Sequence, residues 1–299
     1  ALGDTALDSV QSGGNYNVAI GTSAGTAITT GDYNVAVGYL SGTAITTGGR
    51  NSAFGSFALF TNISGTNNVA NGFQSLYYNT GNYNTAVGSL SLQASTTASN
   101  NTAVGYQALT SSTTGAGNVA MGYLALSTGT TLANSVAIGY EALANTTVNG
   151  NHAFGYRALK DTTTGSSNTA VGSQSLTANT TGTANVAVGT SALTANTTAS
   201  NNTAVGYQAG YSNTTGAALT AVGYVALTNN TTGNYNTAFG YEAGKGNTTA
   251  QLNTFIGFEA GRGTTTGAIN TIVGGRAMKN ATTGNSNTGL GYSVMGLLT

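Results

Sequence analysis

The sequence predicts an all-β chain, a parallel β-solenoid or β-roll of about eighteen coils, on three observations. A block of the form N-x-A-V-G returns every 17 residues along the whole 299-residue chain. The apolar positions inside each unit do not recur at i, i+3 and i+4, and Gly and β-branched residues fill the segments, which excludes a helical repeat. Pro is absent, as expected where nearly every strand must donate to neighbours on both sides. A fixed period is the mark of a stacked array, so residues 1–299 read as one continuous repeat.

The glycines that close the blocks run from Gly21 to Gly291, 17 residues apart fourteen times and 16 apart twice, with Gly3 opening the series. Numbering columns from the Asn, the idealised unit is N-T-A-V-G-Y-Q-A-L-T-x-N-T-T-G-x-x. Column 1 is Asn17, Asn34, Asn51, Asn68, Asn84, Asn101, Asn118, Asn151, Asn168, Asn185, Asn202, Asn236, Asn253, Asn270 and Asn287, interrupted by Ser135 and Leu219. Identical amides stacked at strand spacing can hydrogen-bond along the stack, so these residues are the expected structural ladder. Column 3 is Ala until Phe255, Ile272 and Gly289, and column 4 is apolar everywhere except Asn71. The Gly at column 5 suits a sharp bend. Two short strand segments per unit, one on each side of this Gly, are expected, and the T-x-N-T-T-G remainder reads as a turn-forming loop.

Composition narrows the function classes. Seven Lys and Arg balance seven Asp and Glu, and charged residues make up 5% of the chain. Neither a basic groove for nucleic acid nor a polybasic membrane patch is supported. Absence of Cys removes disulfides, thiolate metal sites and Cys nucleophiles. No apolar run approaches the ~18 residues of a membrane span. Opening on Ala1, with no basic-then-apolar leader, the chain reads as a processed form or fragment of a longer one.

Alternate side chains of a strand point to opposite faces, so columns 2 and 4 share one face and column 3 takes the other. Both faces are small or apolar, and no helix is available as a cover. A second copy of the chain is therefore the expected cover, more so where Phe255 and Ile272 would form an exposed apolar patch.

The segments Asn17-Val18-Ala19-Ile20-Gly21, Asn134-Ser135-Val136-Ala137-Ile138-Gly139 and Asn185-Val186-Ala187-Val188-Gly189 carry a family resemblance. The repeat resembles the haemagglutinin-type head repeats of trimeric autotransporter adhesins, and similar arrays in phage tail-fibre proteins. The resemblance covers essentially the whole chain. It implies a left-handed β-roll that assembles as a trimer and attaches to surfaces. Two features depart from it: the unit is longer by the T-x-N-T-T-G segment, and no heptad stalk, neck or membrane anchor is present.

Column 6 carries Tyr106, Tyr123, Tyr140 and Tyr156, then Tyr207, Tyr224, Tyr241 and Phe258. Such a ladder could form a glycan platform, although stacking within the rod or between chains is the favoured reading. Glu242 and Glu259 fall in one column of adjacent coils, the spacing of a glycosidase carboxylate pair. Lys245, Arg262 and Arg276 nearby, like Arg157 beside Glu141, favour a surface charge ladder instead. His152, the single His, has no companions for a metal site. The Thr pairs sit in segments read as variable loops, against a flat ice-binding face. The N-x-T sequons at Asn145, Asn179, Asn196, Asn213, Asn230 and Asn247 would be exposed acceptors in those loops.

The function expected is a structural or adhesive fibre segment, extracellular, at a cell surface or on a virion. No catalytic activity, cofactor or metal is expected. Partners are further copies of the chain, as a trimer or filament, with a cell-surface glycan or host surface as candidate ligand. The competing reading is a self-assembling filament or sheath subunit in which solenoids stack end to end.

Overall fold

The computed structural model describes residues 2–10 and 13–294. The chain divides into two compact units, Ala1–Gly150 and Asn151–Thr299. The same coil recurs in each. The first unit holds β1 (Val18–Ile20) to β8 (Val136–Ile138), and the second β9 (His152–Phe154) to β17 (Thr288–Leu290). Within each unit, consecutive strands pair in parallel and strictly in register, Ala19 opposite Ala36 and Val186 opposite Thr203. The fold is an all-β parallel solenoid of about sixteen turns with a 17-residue repeat, and no helix occurs among the described residues. The opening repeat at Gly3 contributes only an isolated bridge, Leu2 to Ile20.

Each coil has one three-residue strand, columns 2–4, and not the two expected. The segment after the Gly forms no strand because its backbone alternates in hand. In that segment φ is positive at columns 7 and 9, as at Gln107 (54°) and Leu109 (52°), or Gln208 (51°) and Leu193 (50°) in the second unit. Alternation curls the chain while keeping amides directed along the stack. Gln107 N–H donates back to Ser89 O, whereas Leu109 and Ser111 N–H donate forward to Ala125 O and Ser127 O. A Leu in this region costs on the order of 1 kcal/mol. Burying that Leu completely contributes about 1.5–3 kcal/mol, and its amide gains a partner in the next coil. Burial wins.

The core is thin, built in each coil mainly from columns 3, 8 and 9. Column 3 Ala points inward and is fully buried from Ala19 to Ala238, as are Leu59, Leu109, Leu143 and Leu176 at column 9. The coil thus covers its own column 3 face, and only the column 2 and 4 face is left outward. The expected exposed patch at Phe255 and Ile272 is corrected in the same way: both are 0% exposed.

Room for Phe255 comes from exchange of volume between columns. Its ring occupies the space where a Cβ at Gly244 or Gly261 would stand, the column 9 positions of the preceding coil and of its own. In the first unit Gly25 and Gly42 take column 9, and Ile28 and Ile45, both buried, fill in from column 12. Leu132 similarly occupies the space left by Gly129. Each coil keeps its interior volume constant while moving it around the ring, as close packing requires.

Phe255→Ala should therefore destabilise the second unit by about 3–5 kcal/mol. Gly244→Leu alone should also destabilise by overpacking, whereas the two combined should recover much of the loss, because column 9 Leu already adopts this backbone at Leu227 (φ 48°). Thermal unfolding of the three variants checks the sign of the coupling.

Candidate binding face and the ladders that hold it

The closing Gly sets the geometry of the outer face. Its φ lies between 122° and 145° in every repeat from Gly21 to Gly291, a region L-residues rarely enter. From Gly21 onward, a Cβ there would also collide with the carbonyl of the closing Gly in the next coil of the unit. The bend turns column 6 outward beside column 4, so two files of side chains run in parallel along each unit.

In the second unit the column 4 file includes Val205, Phe239 and Ile256, with Phe239 56% exposed. Beside it Tyr207, Tyr224, Tyr241 and Phe258 stack face to face, centroids 5.3, 5.1 and 5.3 Å apart. Tyr106, Tyr123 and Tyr140 stack likewise in the first unit at 5.6 and 5.0 Å. These rings, and Tyr156 in the second unit, lie on the surface of the chain between 41% and 47% exposed, not inside the coil. One aromatic group escaped the sequence reading. Tyr39, Phe57, Phe60, Phe73, Tyr77 and Tyr78 cluster edge-to-face and stacked on the first unit, because Phe57, Phe60 and Tyr77 occupy columns usually polar or small. The departure from the column consensus was the available signal.

Columns 7 and 10 of the second unit hold most of its charges. Glu242 pairs with Lys245 and Arg262, and Glu259 with Arg276 and Lys279 at 2.9 and 2.8 Å. Arg276 also lies over the Phe258 ring at 5.6 Å, joining this network to the aromatic file. The Glu259 carboxyl is held below its ordinary value mainly by the Lys279 hydrogen bond, against a desolvation cost, with Arg276 assisting. His152 lies in β9 at column 2, half-buried on the outer face. Among the described residues no group of three or more His, Cys, Asp or Glu is placed to hold a metal. Among the described residues no helix is long and apolar enough to cross a membrane.

The outer files are held by polar ladders inside. At column 1, Asn185 Nδ2 donates to Asn168 Oδ1 and to Ala199 O at the end of its own coil, while its Oδ1 accepts from the Asn202 amide. Asn34, Asn51 and Asn68 repeat the pattern in the first unit. The amide bridges the end of one coil to the start of the next.

The N-T-T segment corrects two expectations. It is not a variable loop: the column 13 amide and hydroxyl bond to the column 13 carbonyl of the next coil, as Thr214 Oγ1 does to Thr231 O at 3.0 Å. Nor are its sequons exposed acceptors. Asn179, Asn196, Asn213, Asn230 and Asn247 are fully buried and form a second ladder, Asn213 Nδ2 reaching both Asn196 Oδ1 and Gly216 O. Only Asn145, one column earlier, is exposed. Sequence reading took N-x-T for a surface feature because local composition cannot reveal the direction of a side chain at a curled backbone.

Comparison with family models, with curated proteins and with solved structures finds no match to this chain.

The second ladder stops at Thr264, which leaves Asn247 Oδ1 and Thr264 Oγ1 buried without partners. Thr264→Asn should restore a donor to Asn247 and reach Gly267 O, raising stability by about 1–2 kcal/mol in thermal unfolding. The Glu259 network gives a pH prediction. Its depressed carboxylate contributes stability that is present above the ordinary carboxylate range and lost as pH falls through the lower folded value. Protection factors of the amides around residues 259–279, measured against the intrinsic exchange rate at each pH, should therefore fall on acidification below that range, and Glu259→Gln should abolish this step.

Proposed function

We propose that the chain is a structural and adhesive fibre segment that associates with copies of itself. The observation that carries the reading is the outward face of the second unit. There Val205, Phe239 and Ile256 run in register beside a stack of four aromatic rings, on strands whose other face is already buried. A regular apolar file of this kind gains most from an equally regular partner, and another copy supplies one. A trimer, by the resemblance of the repeat to adhesin heads, is the assembly proposed. Repeated surface groups then meet a cell or virion target many times over, and weak contacts add by avidity. The extracellular setting belongs to the same proposal.

A filament is the second reading, and the ladders favour it. Every coil offers the hydrogen-bond pattern that the next coil of the same unit accepts, so an end coil can accept a coil of another molecule. Sedimentation of the protein separates the two. A discrete trimer that dissociates on Phe239→Glu with Ile256→Glu is the result expected. Open-ended polymers insensitive to these substitutions would favour the filament, and a monomer at micromolar concentration would overturn both.

A further inference from the structure

The first unit has a recess on its surface away from the aromatic file, lined among others by Asp32, Tyr33, Gly49, Arg50, Thr66 and Tyr83. In some coils a column 16 side chain caps the amide of the preceding coil: Asp32 Oδ1 accepts from Asn15 N–H at 2.7 Å, and Asn82 Oδ1 from Thr66 N–H at 2.8 Å. Gly49 has no side chain with which to do this. The Asp32 amide therefore has no acceptor among the described residues, and the floor of the recess is open backbone.

The walls are supplied by column 17. Tyr33 stacks on Tyr16 with centroids 4.9 Å apart and planes 9° apart. One face of Tyr33 is thus covered, and the other is directed along the stack toward the coil of Arg50. Tyr83, three coils on from Tyr33, stands 60% exposed at the far side. Between them Arg50 is exposed, and its guanidinium has no carboxylate and no ring as partner among the described residues. The Asp32 carboxylate is engaged in the opposite direction along the stack, by the Asn15 amide.

An open aromatic face, an unpaired guanidinium fork and free amides together match one kind of ligand. The apolar face of a pyranose packs on a Tyr ring, and a carboxylate on that pyranose takes two parallel hydrogen bonds from an Arg. The Tyr33 and Tyr83 levels are three coil spacings apart, roughly 14 Å, with Arg50 and Asn67 at the two levels between them, and this length admits a sugar residue. We propose that this recess binds a carboxylated pyranose within an acidic glycan, a uronic acid or a sialic acid. The inference deepens the adhesive part of the proposed function by naming a ligand class, and it does not depend on the oligomeric state.

Titration calorimetry of the full chain with an oligogalacturonide and with sialyllactose, against maltotriose and lactose as neutral counterparts, tests it. Binding of either acidic sugar at least about tenfold more tightly than its neutral counterpart is expected, the size of one charge-assisted pair. The arm that binds identifies the source. Arg50→Gln should weaken this binding about tenfold with unchanged thermal unfolding, and Gly49→Ser, whose Cβ would stand 3.0 Å from Asp32 O in the recess, should weaken it similarly. Lys245→Gln, on the second unit, should leave it unaltered. No binding of either acidic sugar at millimolar concentration, equal binding of neutral and acidic sugars, or full binding by Arg50→Gln would overturn the proposal. Because sedimentation reads association separately, a monomer that still binds would remove the assembly and keep the site.

Discussion

Everything in this solenoid depends on satisfying polar groups inside a coil too thin to have a dry core. A ring of 17 residues typically encloses little more than two Ala, a Leu, its Asn amides and the carbonyls at its own seam. Those carbonyls cannot reach water, and an unpaired buried amide or carbonyl costs about 1–3 kcal/mol. The Asn columns meet this need because a primary amide both donates and accepts. Each Asn takes the amide of the next coil and gives to the end of its own. Remove the amide and both ends of the seam lose partners together.

The second constraint is separation along the stack. Neighbouring backbones lie so close at the bend that the carbonyl of one closing Gly occupies the place of a Cβ on the one before it. This holds column 5 to Gly in every repeat and, with it, the angle between columns 4 and 6. The apolar file and the aromatic file are therefore set by a residue with no side chain. Volume, by contrast, is negotiable. Leu at column 9, Ile at column 12 and Phe at column 3 exchange with Gly across the same small interior.

Ladders also explain why single departures matter. Thr264 ends one ladder and strands an Asn oxygen, and Gly49 leaves the Asp32 amide uncapped beside a recess. In a periodic molecule, function is best sought where the period fails. Arg50 and Tyr33 border a recess whose lining includes Gly49, where no side chain caps the Asp32 amide.

The repeat by itself determined the class of fold, the parallel register and the absence of helix, since a strict 17-residue period of Asn, Ala and Gly leaves no other way to align equal columns. It also indicated which residues share a column, Asn17 through Asn287 at column 1 and Tyr106 through Phe258 at column 6. Direction was decided only in three dimensions. Left-handed residues at columns 7 and 9 replaced the second strand, turned Asn179 and its successors inward, and drew the Thr pairs into a ladder. Closure of the coil placed column 3 inside, so Phe255 became core instead of surface. Column identity is a property of sequence, whereas inside and outside follow from how the backbone curls to keep its amides paired.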